Sequence, residues 1–250
     1  MEDKINKFIN MIYDSHYIVF FGGAGVSTES GIPDFRSKDG LYNQHNVQFD
    51  QYTPEYLLSH SCLYHHPDVF YEFYRQKLNT EDIQPNQAHI FLTQLEKIGK
   101  LKAIITQNID NLHQKAGSQN VYEIHGTTYR NYCDQCHLLY PPDYIFKSKE
   151  KIPRCHCGGM IRPDVTLYEE GLPEKAVYKS IQALRKADML IIGGTSLTVY
   201  PAASYIHEFH GKYLVVINKD PLHLKLKKGD LEINEPIGQF FTKVEKIIKW

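Results

Sequence analysis

Cys133-x-x-Cys136 and Cys155-x-Cys157 bracket the stretch 137–154, and Gly158-Gly159 follows the second pair. Paired thiols at this separation resemble a zinc ribbon, and four thiolates fill a tetrahedral Zn²⁺ completely, leaving no position for water or substrate. Such a metal staples chain segments together and activates nothing. His137 and His156 stand beside the cysteines as alternative ligands, and disulfides are another way to pair the thiols. The N-terminus, MEDKINKFINMIYDS, lacks the basic start and continuous apolar stretch of an export signal. A reducing, cytoplasmic location then favours four cysteines around one zinc. Cys62 stands apart and reads as a small buried hydrophobe.

A second set of residues follows apolar runs. GAGVSTESGIPDFR, Gly23 to Arg36, comes directly after Tyr17-Ile18-Val19-Phe20-Phe21. Gly23, Ala24 and Gly25 open it like the phosphate-holding turn of a dinucleotide-binding βαβ unit, but Thr28 stands where the third glycine belongs. Gly31-Ile32-Pro33 is a poor helix start and a good ordered loop. Gln107, Asn108, Ile109 and Asp110 end a second apolar run, LKAIIT, and a polar cluster in that place is unusual for mere solvation. His125 follows VYEI and precedes Gly126. Imidazole titrates near neutral pH, which suits a general base.

The elements that must position these residues alternate. Ile5, Phe8, Ile9 and Ile12 recur at helical spacing and predict a helix over 2–14 before a strand at 17–21. The stretch 39–85 is aromatic and polar and predicts short helices near Pro54 and after Pro67. Asn86 caps a helix running to Gly99, and strands follow at Leu101 and at 121–124. Beyond the cysteines, Pro173 opens a helix to about Ala187, DMLIIGGTS is a buried strand, Pro201 opens another helix, and YLVVIN from Tyr213 is a strand again. Strands alternating with helices predict an α/β fold with a doubly wound parallel sheet. Gly23, Gln107, His125, Gly194 and Asn218 all fall at C-terminal strand ends, where such sheets bind ligands. With 250 residues the chain can bury a large core, and a formal net charge of −1 provides no global field for nucleic acid or an anionic membrane. No apolar run approaches the length of a membrane span.

Taken with TQNID at Thr106 to Asp110, GTSLTVYPAA from Gly194 and VIN at Val216 to Asn218, these motifs resemble the sirtuins, NAD-dependent protein lysine deacylases, over almost the whole chain. The resemblance implies one catalytic domain, 1–250. Its Rossmann-like large part comprises 1–38, 86–126 and 171–250, and its small lobe joins a helical insertion, 39–85, to a zinc ribbon, 127–170. It implies that NAD is consumed as co-substrate and that one Zn²⁺ is structural. Gly23, Ala24, Gly25, Thr28, Asp34, Phe35 and Arg36 would line the phosphates and the nicotinamide ribose. Gln107, Asn108, Ile109 and Asp110 would form the nicotinamide pocket, with Asp110 accepting from the carboxamide. Gly194, Thr195, Ser196 and Asn218 would hold the adenosine half, with Ile237 covering the adenine.

In the implied reaction the acyl oxygen of a modified lysine displaces nicotinamide from the ribose. His125 then takes a proton from a ribose hydroxyl, which attacks the carbon of the alkylamidate so formed, and water completes the release of free lysine and 2′-O-acyl-ADP-ribose. The loop through Phe35 encloses the site and excludes water. RPDVTLYEE, Arg162 to Glu170, and LTVYP, Leu197 to Pro201, resemble the segments that clamp an extended acyl-lysine peptide as an added strand, with Val165, Leu167, Tyr168 and Val199 as substrate contacts. Three positions depart from the family: Asn111 and Glu169 replace glycine, and Thr166 replaces valine. Sirtuins that remove succinyl groups carry a Tyr-x-x-Arg pair; Tyr71-Glu72-Phe73-Tyr74 stands in that stretch and implies acetyl or other neutral acyl groups. The implied partners are acetyl-lysine proteins or peptides, with no nucleic acid or membrane, and a monomer is expected. ADP-ribosyl transfer to protein, and a silent NAD-sensing or zinc-ribbon interaction protein, are the rival readings.

Overall fold

The computed structural model describes residues 1–35, 37, 40–43, 48–222 and 224–250. Its strands, in chain order, are β1 (Ile18–Gly22), β2 (Leu101–Thr106), β3 (Val121–Glu123), β4 (Gly126–Cys133), β5 (Leu139–Tyr140), β6 (Ile161–Val165), β7 (Met189–Gly193), β8 (Tyr213–Ile217) and β9 (Leu231–Ile233). Six form one sheet in the order β3-β2-β1-β7-β8-β9, with every neighbouring pair parallel. The other three form an antiparallel sheet, β5-β4-β6.

The central strands are apolar on both faces because both faces are covered. All five residues of β1 and of β7 are buried. Alternation then sorts their side chains. Ile18, Phe20, Met189 and Ile191 join one core with the helices Glu2–Asp14, Gln87–Lys97 and Ile237–Glu245. Val19, Phe21, Leu190 and Ile192 join another with the helix Glu174–Lys186 and the 3₁₀ segment Ala202–Glu208. A third core packs Phe70, Tyr71, Phe73 and Tyr74 of the helix Pro67–Leu78 against Ile145, Ile161, Val165 and Leu167.

The sequence expectations hold for the helices before β1 and β2, for the short helices at Pro54 and Pro67, and for the strands at Leu101, 121, 189 and 213. Asn86 caps its helix as expected. Its side chain accepts from Ala88 N at 2.8 Å, while His89 Nδ1 accepts from Asn86 N at 3.2 Å in a reciprocal capping box. The segment after Pro201 is a 3₁₀ helix, not an α-helix, tightened by i→i−3 bonds such as Ser204 N to Pro201 O at 3.0 Å. β9, the terminal helix and the antiparallel sheet are additions that the alternating pattern did not announce. Among the described residues no helix is long and apolar enough to cross a membrane.

Candidate functional site: the crevice at the strand ends

The sheet order reverses direction between β1 and β7. Their C-terminal ends therefore open into one crevice, the place where a doubly wound sheet takes a ligand. β1 does not lead directly into an α-helix. Two 3₁₀ turns, Ala24–Val26 and Thr28–Ser30, lead instead to Gly31 at φ 90°. The loop they form packs backbone to backbone on the loop after β7. Gly25 N donates to Gly194 O at 2.8 Å, and a Cβ on Gly25 would lie 2.8 Å from Gly194 Cα. Side chains at either glycine would push these loops apart, so both are needed to shape the crevice floor. Asn86 supports the turn from behind, donating to Val26 O at 2.8 Å and Ser30 Oγ at 3.0 Å.

Gln107 continues β2, with its N–H on Gly22 O at 3.0 Å and its side chain donating to Thr195 Oγ1 at 3.1 Å. Asn108 Nδ2 donates to Ser27 Oγ at 3.0 Å, and Ser27 Oγ donates to Asp110 Oδ2 at 2.6 Å. Asp110 Oδ1 accepts from Leu112 N at 2.9 Å. Asp110 is 6% exposed. Burial raises its carboxyl above the usual carboxylate range, against the opposing pull of the Ser27 hydrogen bond and the Leu112 N–H. Asn111 adopts the left-handed conformation, φ 62°, that the replaced glycine would supply, which asparagine tolerates better than most residues.

His125 sits between β3 and β4, half-buried, with Nδ1 2.9 Å from Gln107 O. A carbonyl can only accept, so Nδ1 carries the proton and the neutral ring's lone pair lies on Nε2. Eight of the other described histidines are exposed: 16, 60, 65, 66, 137, 156, 207 and 210. His89 and His113 are the buried ones and touch each other, ring centroids 4.8 Å apart.

The remaining expected residues are placed as follows. Gly23 follows β1 directly, close against Thr195, while Ala24 and Gly25 are half-buried in the turn. Thr28 is exposed, its hydroxyl on Gly25 O at 3.0 Å. Asp34 accepts from Ser37 N at 2.8 Å and Leu41 N at 2.7 Å. Phe35 and Ile109 are partly buried against the third core. Arg36 lies outside the described residues. Ser196 is exposed and bonds to Thr198 Oγ1 at 2.7 Å; Asn218 donates to Asp220 O at 2.8 Å. Ile237 is 2% exposed, part of the first core. Val165 and Leu167 are buried, and Tyr168 and Val199 half-buried.

The segment after β6 is tied to its surroundings through backbone. Thr166 N donates to His125 O at 2.9 Å, Tyr168 N to Leu58 O at 3.0 Å, and Tyr168 O accepts from His60 N at 3.0 Å. Glu169 has φ 75°, a strained value for a residue with a Cβ, and Ser61 holds it there by donating from N at 2.9 Å and Oγ at 2.7 Å. Arg162 is buried and forms a two-point ion pair with Glu170, at 2.8 and 2.9 Å.

The four sulfurs of Cys133, Cys136, Cys155 and Cys157 lie within 4.8 Å of one another, and none is in a disulfide. The pairs Cys133–Cys157 and Cys136–Cys155 are 3.5 Å apart. Zinc with sulfurs at about 2.3 Å spans tetrahedral edges of about 3.8 Å, so the cluster fits one Zn²⁺ with all four positions filled by sulfur. The C-x-C spacing does not prevent this. Cys62 is fully buried, and burial pushes its thiol up to about 11, so it is an inert hydrophobe as expected.

Ser27 is the residue that sequence reasoning missed. It is 1% exposed and bonds to both Asn108 and Asp110. Its signal was available: a serine two residues past Gly25 in a turn already assigned to the ligand.

Crevice and cluster together define a dinucleotide-binding α/β protein braced by a structural metal ribbon. The family comparison is specific: the Sir2 family model matches residues 23–201. The chain belongs to the Sir2 family. It is 55% identical over 247 residues to an NAD-dependent protein deacetylase of Clostridium perfringens, covering 98% of this chain and 99% of that one. A solved structure of Sir2 bound to an acetylated peptide superimposes with a TM-score of 0.84 at 31% identity, covering 97% of each chain. One of Sir2 with a p53 peptide and NAD⁺ gives 0.83 at 34% identity, again with 97% of each chain covered.

Proposed function

We propose that this chain is an NAD-dependent protein deacetylase, removing acetyl or other neutral acyl groups from lysine and yielding nicotinamide and 2′-O-acyl-ADP-ribose. One observation carries the reading: in a Sir2 fold, the glycine turn, the Asn108–Ser27–Asp110 hydrogen-bond chain and His125 meet at the C-terminal ends of β1, β2 and β3. Bound NAD supplies a ribose carbon that gives up nicotinamide and takes the acyl oxygen. The protein supplies the rest. His125 Nε2 takes the proton from a ribose hydroxyl, and the Gln107 carbonyl on Nδ1 holds the ring in the tautomer that can do so. Asp110, oriented by Ser27 and Leu112, accepts from the nicotinamide carboxamide, with Asn108 and Ile109 completing that pocket. Gly23, Ala24, Gly25 and Thr28 line the phosphates, and Thr195, Ser196 and Asn218 the adenosine half. Phe35 excludes water from the departing group's site.

Val165, Leu167, Tyr168 and Val199 contact the acyl-lysine peptide in this reading. Arg75, which follows the Tyr71–Tyr74 stretch, has its guanidinium engaged by the carbonyls of Ile145, Glu150 and Lys151, consistent with neutral acyl groups over succinyl. The parts 1–38, 86–126 and 171–250 act as the NAD-binding body and 39–85 with 127–170 as the small lobe. A cytoplasmic monomer acting on acetylated proteins completes the proposal. Mass spectrometry of an acetyl-lysine peptide incubated with enzyme and NAD tests it: loss of the acetyl group with stoichiometric nicotinamide is expected. Gain of ADP-ribose on the peptide, or acetate release with NAD intact, would sink it.

A further inference from the structure

Two phenols join the nicotinamide side of the crevice to the segment assigned to the acyl-lysine. Tyr42 OH and Tyr168 OH are 2.9 Å apart. Tyr42 is bound to the Phe35 region in two further ways: its N–H donates to Phe35 O at 3.0 Å, and its ring meets Phe35 edge to face with centroids 5.4 Å apart. Leu41 N on Asp34 O, at 2.7 Å, reinforces the same pairing. Tyr168 is anchored independently, its backbone bonded on both sides to Leu58 and His60. Two residues earlier, Thr166 N holds His125 O. One short segment, Thr166 to Tyr168, thus touches the general base through backbone at one end and the neighbour of Phe35 through a side chain at the other.

We infer that Tyr42 and Tyr168 are a positioning pair: their phenol–phenol bond sets where Phe35 stands over the nicotinamide site and makes that placement depend on the segment that receives the acyl-lysine. The inference rests on the deacetylase reading above. Phe35 and Tyr42 share one aromatic contact, so a displaced Tyr42 ring displaces Phe35 with it. Tyr168 cannot follow, because its backbone is bonded to Leu58 and His60. The phenol bond is therefore the link that converts two separately anchored rings into one wall. Neither hydroxyl touches reacting atoms in this role. Their effect falls on NAD use: how tightly NAD is held for turnover, and how much of it is lost to water instead of to the acyl group.

Tyr42→Phe, Tyr168→Phe and the double variant test this, since each keeps the ring and removes only the hydroxyl. Each single variant is expected to raise KM for NAD about two- to tenfold, the worth of one hydrogen bond, and to increase the share of nicotinamide released without deacetylation by a similar factor. The double variant is expected to match the singles, because the bond is already gone after the first substitution. Additive effects in the double variant, or a Tyr168→Phe enzyme with wild-type KM for NAD and wild-type coupling, would overturn the pair. A purely structural role would lower thermal stability while leaving the ratio of nicotinamide to deacetylated product at the wild-type value, and that result also overturns it. Turnover of acetyl-peptide by the wild-type enzyme reports on the deacetylase reading itself, so the two failures are distinguishable.

Discussion

The crevice and the cysteine cluster are both made of loops, yet they are held in opposite ways. The crevice loops leave the ends of β1, β2 and β7, which are paired on both sides and buried except at Lys102, so backbone ladders that need no ligand fix where Gly23, Gln107 and Gly194 stand. The cluster hangs on a three-stranded sheet with a two-residue edge strand, and its loops converge on four thiols whose mutual approach only a metal rewards. The crevice is prepared in advance; the cluster is assembled by what it binds. Chemistry belongs to the first and cohesion to the second.

Substitutions can break that contrast. His125→Ala should cost the most turnover, about 10²- to 10⁴-fold, the range for a positioned general base. Its fold and zinc content should not change, because the ring's hydrogen bond to Gln107 O adds little beside the sheet that carries it. Turnover, zinc content and thermal midpoint measured together check this. Unchanged turnover would remove His125 from the chemistry, and lost zinc would show that the two regions are not separable.

Cys155→Ser should give the converse pattern. The zinc content falls to near zero and the thermal midpoint drops, with activity lost only as the region around Cys155 unfolds. That region shares the third core with Phe70, Tyr71 and Tyr74, so the aromatic helix is expected to loosen with it. Chelation of wild-type protein should reproduce the effect. A chelated protein with its full thermal midpoint would mean the aromatic core suffices without metal.

A third effect probes the body that carries the crevice. His89 and His113 are buried against each other, and desolvation pushes His89 down to about 4 and His113 well below the ordinary imidazole range. In the unfolded chain these rings bind a proton near pH 6.5, whereas folded His89 binds one only near 4. Between those values the unfolded state holds more protons, so stability is full above the upper one and falls as the pH drops through the window. His89 alone contributes on the order of 3 kcal/mol. Urea midpoints at about pH 7.5 and about pH 5 should differ accordingly. His89→Gln, which keeps an acceptor for Asn86 N, should flatten the difference. An equal slope in the variant would assign the acid sensitivity elsewhere.

What could be read from the sequence follows the same division. The apolar runs of β1, β7 and β8 are uninterrupted and that of β2 is broken only at Lys102, and burial on both faces writes itself as near-continuous hydrophobicity. The crevice residues were legible because they stand at the ends of those runs. The antiparallel sheet was not: in β4, Thr127-Thr128-Tyr129-Arg130-Asn131-Tyr132 mixes buried and open positions with a register shift against β6 that no period of two describes. Ile237, Phe240, Phe241 and Val244 repeat at helical spacing in the terminal helix, whose N-terminus at Pro236 carries no side-chain cap of its own. Glu29 caps it from a distant loop, accepting from Gly238 N at 2.6 Å and Gln239 N at 3.1 Å, which no local cap motif signals.

The smallest expected effect of this contrast concerns Ser27, and it asks how much of the crevice's readiness is owed to a single hydroxyl. Ser27 Oγ gives its proton to Asp110 at 2.6 Å and accepts from Asn108 at 3.0 Å, so it is the only bond between those two side chains in the described residues. Ser27→Ala leaves Asp110 with one donor, Leu112 N, and leaves the Asn108 amide without this acceptor. An unpaired buried polar group costs about 1–3 kcal/mol, and here the cost is met by reorientation of Asp110, the group assigned to the nicotinamide carboxamide. The expected result is kcat/KM for NAD lower by about ten- to a hundredfold, with KM for the acetyl-peptide and zinc content unchanged. Ser27→Thr, which restores the hydroxyl, should recover part of the loss. If Ser27→Ala stays within about twofold of wild type, the sheet and the Leu112 N–H alone orient Asp110, and the crevice is even more independent of its side chains than the contrast with the cysteine cluster requires.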